Sequence, residues 1–135
     1  MEKIRIIIAD DHKMILEAIT SLFKAENDFE LLGASCDGEG AVQLAKDLKP
    51  DIALLDFEMP KMNGIVAARK IKVVSPDTVV FILSFHEGEP YRKMAFDAGT
   101  AGFISKSTPF EDIVEMIKMV VKRNDEVSNF ELVVF

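Results

Sequence analysis

Three observations predict a doubly wound (βα)₅ fold, an α/β architecture with a parallel sheet between helices. Five short apolar runs punctuate the chain, segments of helical spacing fill the intervals, and two of the runs are continuous rather than alternating. The runs are Ile4–Ala9, Phe29–Ser35, Ile52–Leu55, Thr78–Ser84 and Ala101–Ser105. Ile6-Ile7-Ile8 and Val79-Val80-Phe81-Ile82-Leu83 leave no polar face, so both sides of those strands are expected to be covered.

Each interval then justifies a helix. Ile15, Ile19, Leu22 and Phe23 share a face of the first, and Ala41, Leu44, Ala45 and Leu48 a face of the second, which Lys49-Pro50 ends. Ile65, Ala68, Ile71 and Val74 mark the third, ahead of Pro76. The fourth, from Pro90 to Ala98, is weakly amphipathic and stops at Gly99, a natural residue for a left-handed C′ position. The fifth carries Phe110, Ile113, Val114, Ile117, Val120 and Val121, and Thr108-Pro109-Phe110-Glu111 reads as a capping box with proline at the first helical position.

A chain of 135 residues fits one domain, expected over 1–122, with 123–135 as a C-terminal tail or the start of a linker. With 49% hydrophobic residues the chain can bury a sizeable core, which excludes disorder, and its single cysteine, Cys36, excludes a disulfide scaffold. Sixteen basic against 23 acidic residues, a net charge of −7, oppose a phosphate backbone, so direct nucleic-acid binding is not expected of these residues. No apolar run approaches a membrane span or a signal-peptide core, so a soluble, cytoplasmic setting without membrane contact is expected.

In doubly wound sheets ligands bind beyond the carboxyl ends of the strands. There stand Asp10-Asp11 after the first run, Asp56 after the third, Ser84 at the end of the fourth and Ser105-Lys106 at the end of the fifth. Each residue alone is an ordinary turn, cap or surface group; together they converge on one rim. Three close carboxylates repel one another unless a cation compensates, and Mg²⁺ suits them because it leaves coordination positions for phosphate oxygens. A carboxylate facing phosphorus can act as nucleophile, Lys106 can pair with a phosphoryl oxygen, and the Ser84 hydroxyl can donate to another. The set fits phosphoryl transfer to Asp56. Pro60 and Asn63-Gly64 suit a tight turn over that rim, Asn63-Gly64 by tolerating left-handed conformations.

These same residues carry a resemblance. Ile6-Ile7-Ile8-Ala9-Asp10-Asp11, Leu54-Leu55-Asp56 followed by Met59-Pro60-Lys61-Met62-Asn63-Gly64, Leu83-Ser84 and Phe103-Ile104-Ser105-Lys106 resemble a response-regulator receiver domain of two-component signalling, over residues 3 to 122. Phe85-His86-Glu87 and Ala98-Gly99-Thr100-Ala101-Gly102-Phe103 resemble the NarL/LuxR-type subfamily. The resemblance implies a flavodoxin-like receiver fold of strand order 2-1-3-4-5, and Asp56 as acceptor of a phosphoryl group from a sensor histidine kinase. It implies Mg²⁺ held by Asp11, Asp56 and the backbone carbonyl of Glu58, with Asp10 acting through water, and Lys106 on the phosphoryl group. Ser84 and Phe103 would form the switch pair. The chain would then be no enzyme beyond catalysing its own phosphorylation and dephosphorylation, with an output in transcription regulation through a helix-turn-helix domain that these residues do not contain.

Departures and alternatives stand beside this. Ser107 follows the site lysine where many receivers have proline, so a cis peptide there is not expected. Phe103 has no hydroxyl, so a switch at this position is a packing event. Glu58 adds a negative side chain that either faces the pocket or solvent, and His12 and His86 read as solvated loop histidines. Met116 and Met119, off the stripe of the last helix, leave room for a homodimer. A stand-alone or phosphorylation-independent interaction module is one alternative, and a Mg²⁺-dependent phosphohydrolase, from the partial Asp-x-Asp likeness of Asp56-Phe57-Glu58, is another.

Overall fold

A computed structural model describes residues 2–86 and 88–126, with side chains through residue 122. Five strands and five helices alternate: β1 (Ile4–Ala9), α1 (Lys13–Ala25), β2 (Phe29–Ser35), α2 (Gly38–Leu48), β3 (Ile52–Asp56), α3 (Gly64–Val74), β4 (Val79–Ser84), α4 (Tyr91–Asp97), β5 (Gly102–Ser105) and α5 (Phe110–Glu126). All strand pairs are parallel, in the order β2-β1-β3-β4-β5. The order reverses between β1 and β3, which is where a doubly wound sheet opens a crevice above its carboxyl ends.

The continuous apolar runs divide between two cores, as the pleat requires. Ile7, Ala9, Ala53, Leu55, Val80, Ile82 and Phe103 face α2, α3 and α4. Ile6, Ile8, Ile52, Leu54, Phe81, Leu83 and Ile104 face α1 and α5. Every residue of β3 and β4 is buried, so the middle of the sheet is closed to water on both faces.

Some elements differ from expectation, each for a physical reason. The covered face of α1 runs through Leu16, Ile19 and Phe23, leaving Leu22 45% exposed at the margin. In α5, Met116 packs against the core because it lies three residues from Ile113 and four from Val120, whereas Met119 is exposed. Pro109 stands just before α5, its carbonyl accepting from the N–H groups of Asp112 and Ile113, so it is one position earlier than the first helical residue. The helix then continues to Glu126, past the expected edge at 122; the tail residues 127–135 lie outside the described residues.

In the loop after β3 the left-handed residue is Lys61, at φ 68°, and not Asn63-Gly64. Asn63 instead caps α3, its side-chain oxygen accepting from Val66 N–H at 3.0 Å. Gly64 is needed for space: a Cβ there would stand 2.4 Å from the carbonyl oxygen of Asp56. The helix thus starts directly against the strand end that carries Asp56. Gly99, at φ 85°, ends the α4 region as a left-handed residue.

Candidate functional site

Side chains from the ends of β1, β3 and β5 meet at the carboxyl rim. Asp10 follows β1 and is 1% exposed; Asp56 closes β3 and is 3% exposed. The Lys106 ammonium, just past β5, lies 3.0 Å from Asp10 Oδ2 and 2.9 Å from Asp56 Oδ1, and its side chain is itself buried. Burial would lower its pKa, but hydrogen bonding and charge from Asp56 and Asp10 outweigh that and raise it. The lysine is therefore held charged between two carboxylates.

Asp56 responds in the other direction. Desolvation raises its carboxyl from 3.8 to about 6, and the Asp10 charge adds to this while Lys106 opposes it. A folded-state value above the unfolded one means that the protonated carboxyl favours folding. That contribution is complete below pH 3.8 and is lost as pH rises through about 6. In metal-free buffer, Asp56→Asn should accordingly gain stability over the wild type as pH rises from 4 to 7, by up to about 2 kcal/mol. Urea midpoints of both proteins at the two pH values measure it; a difference independent of pH contradicts the buried-charge account.

Asp56 keeps one oxygen without a hydrogen bond among the described residues. Asp10 Oδ2 is paired with Lys106 at 3.0 Å, whereas Asp56 Oδ2 has no hydrogen-bond partner among these residues. Asp11, one-third exposed at its side chain, completes the acidic group. A buried Asp56 oxygen without a hydrogen bond, beside the carboxylates of Asp10 and Asp11, is a donor set that a hard divalent cation satisfies, so these residues fit Mg²⁺.

His12 belongs to this rim, contrary to the reading of it as a solvated loop residue. Its Nδ1 lies 3.2 Å from Asp10 Oδ1, 3.2 Å from Asp11 Oδ1 and 3.9 Å from Asp56 Oδ2. It occupies the N-cap position of α1 without a side-chain cap bond, while its backbone N–H donates to Asp10 Oδ1 at 2.9 Å. Asp10 thereby anchors the start of α1. The available signal was adjacency: the residue after an acidic pair at a strand end, fixed by a helix start, has its ring over that pair.

Ser84, at the end of β4, is buried, and its hydroxyl oxygen accepts from His86 N–H at 2.9 Å. Phe103 in β5 is 3% exposed and packs into the core shared with α2, α3 and α4, so its ring points inward. Glu58 turns out of the rim: its side chain is 63% exposed and pairs with His86 Nε2, while its backbone N–H donates to Asp56 Oδ1 at 3.3 Å. His86 is no free surface residue either. Its ring stacks on Tyr91 at 4.7 Å and meets Phe57 edge-on at 5.7 Å. Phe85, 67% exposed, presents its ring to Lys106 Nζ at 5.2 Å. Lys106–Ser107 is trans; among the described residues the cis peptide lies at Glu89–Pro90.

Comparison with known proteins agrees with this arrangement. The family model for the response regulator receiver domain matches residues 6–118. The transcriptional regulatory protein DegU of Brevibacillus brevis is 35% identical over 120 residues, 89% of this chain and 51% of its own length. The chain thus spans about half the length of this curated relative. The receiver domain structure of NarL, described as a putative response regulator, from Mycobacterium tuberculosis superposes with a TM-score of 0.81 at 29% identity, covering 94% of this chain and 100% of that one. A CheX–CheY–BeF₃–Mg²⁺ complex from Borrelia burgdorferi superposes with a TM-score of 0.82 at 27% identity, covering 89% of this chain and 90% of that one. No helix among the described residues is long and apolar enough to cross a membrane. With a family match across most of its length, NarL- and DegU-type relatives and the expected strand order, the chain belongs to the response regulator receiver domain family.

Proposed function

We propose that Asp56 accepts a phosphoryl group from a phosphohistidine on a sensor histidine kinase, and that the resulting change at the rim controls an output. The observation that carries this is the state of Asp56: a buried carboxylate at the carboxyl end of β3, with one oxygen held by Lys106 and the other without a hydrogen bond among the described residues. An oxygen of Asp56 forms the new O–P bond as the N–P bond of the donor breaks, and the departing imidazole keeps the electron pair. Lys106 is already charged and placed to take the phosphoryl oxygen charge that develops on transfer. The Ser84 hydroxyl accepts from His86 N–H, which leaves its own proton to donate to a second oxygen.

Asp11, Asp56 and the Glu58 backbone carbonyl would hold Mg²⁺, with Asp10 acting on it through water. When bound, that cation supplies neutralisation of the clustered carboxylates and of the incoming phosphoryl oxygens. The CheY structure with BeF₃ and Mg²⁺ supports the reading by likeness of fold. Ser84 and Phe103 serve as the switch pair, and because Phe103 already lies in the core, the change it reports is one of packing. Residues 1–122 act as the receiver, in a cytoplasmic setting; self-association through the α5 face around Met119 and output through a helix-turn-helix domain complete the proposal, the latter supported by likeness to a DNA-binding response regulator of the LuxR family.

Intact mass after incubation with Mg²⁺ and a small phosphodonor tests it. A single phosphoryl adduct is expected, dependent on Mg²⁺ and absent in Asp56→Asn. An adduct that persists in Asp56→Asn overturns the assignment.

A further inference from the structure

We propose that His12 makes this rim a mixed nitrogen–oxygen metal site that takes borderline first-row cations such as Co²⁺ or Zn²⁺ more tightly than Mg²⁺. The inference rests on the acidic rim as a cation site but not on phosphoryl transfer.

Four donors lie together: one carboxylate oxygen each from Asp10, Asp11 and Asp56, and an imidazole nitrogen of His12, all within 4.8 Å of one another. Neighbouring ligands around an octahedral ion at about 2.1 Å stand roughly 3.0 Å apart, and around a tetrahedral ion at about 2.0 Å roughly 3.3 Å apart. The separations from Nδ1 to Asp10 and Asp11, 3.2 Å each, fall in that range, and the 3.9 Å to Asp56 Oδ2 lies just outside it. Asp56 is 3% exposed, and its Oδ2, the atom 3.9 Å from His12 Nδ1, has no hydrogen bond among the described residues.

Lys106 and His12 divide the carboxylates between them. Lys106 faces Asp10 Oδ2 and Asp56 Oδ1, whereas His12 faces Asp10 Oδ1 and Asp56 Oδ2. A cation on the histidine side therefore leaves the lysine pairs in place. The side chain of His12 is 56% exposed, so the entry is open and the ring has room to adjust.

Ligand chemistry sets the selectivity. Mg²⁺ takes oxygen donors and retains water, so it gains little from an imidazole. Imidazole is a good ligand for Co²⁺, Ni²⁺ and Zn²⁺, and affinity at such a site climbs from Mn²⁺ through Co²⁺ to Cu²⁺ before falling at Zn²⁺.

The test uses the full chain, stripped of metal by chelation, with Cys36→Ser in every variant to remove the exposed thiol as a competing ligand. Mg²⁺ and Co²⁺ are titrated separately at pH 7.5 by calorimetry, and Co²⁺ also by its visible absorption, which reports nitrogen ligation. His12→Ala should weaken Co²⁺ roughly tenfold or more and shift its spectrum, while Mg²⁺ affinity stays within about twofold. The ring makes no cap bond, so this variant is expected to fold. Equal change for both ions, or none for either, overturns the role of His12 while leaving the Mg²⁺ rim intact. Loss of neither ion in Asp56→Asn, or binding of neither to the parent chain, overturns the rim itself.

Discussion

Lys106→Ala lowers the rate of phosphoryl uptake by roughly 10²- to 10³-fold, the range found when one preorganised donor to a developing oxyanion is removed. The lysine is the group at this rim that can follow the charge from carboxylate to phosphoryl oxygen. It is buried, it is held charged, and it touches Asp10 and Asp56 together. The same substitution leaves two carboxylates, 1% and 3% exposed, with no ammonium between them. Breaking a buried pair from one side typically costs about 3–5 kcal/mol, although here protonation of a carboxyl relieves part of it. Adduct formation timed by intact mass, with circular dichroism to verify folding, gives both quantities. Uptake within about tenfold of wild type contradicts the placement of Lys106 on the transferred group.

Phe81→Ala has the largest expected effect on the fold, a loss of about 3–5 kcal/mol. Phe81 is fully buried in β4, in register with Leu54 of β3 and Gly102 of β5. Its side chain fills the layer beneath α1 and α5, where backbone on three strands fixes the walls and little can collapse into the void. For a domain of this size the urea midpoint should fall by roughly 2 M. A shift under about 0.5 M contradicts that packing.

Much of this was legible in the residues. Continuous runs such as Val79–Leu83 announce strands buried on both faces, because any polar residue there would lose its water without gaining a partner. Asp10, Asp56, Ser84 and Lys106 were legible because the fold class says where strand ends go. What was hidden depends on side chains meeting across loops. Glu58 and His86 pair although 28 residues apart, and no local pattern encodes that distance. The turn after β3 was misread because Asn63 serves equally well as a left-handed residue or as a helix cap, and the close approach of Gly64 to Asp56 decides for the cap. Met116 was misplaced because the covered face of α5 is wider than its strongest stripe.

The tie between Lys106 and the two aspartates joins the edge of the sheet to its middle. β5 is four residues long and pairs with β4 alone, an edge strand of little independent strength. The side chain that leaves its end passes over β4 to fasten on the ends of β3 and β1. The outermost strand thus hangs from a hook at the centre, and the hook's grip varies with the charge it holds. If Asp56 is neutralised, one of the two ion pairs that hold Lys106 is lost, and the pair with Asp10 remains. The border strand, Phe103 included, is thus fastened by carboxylates that stand at the centre of the sheet.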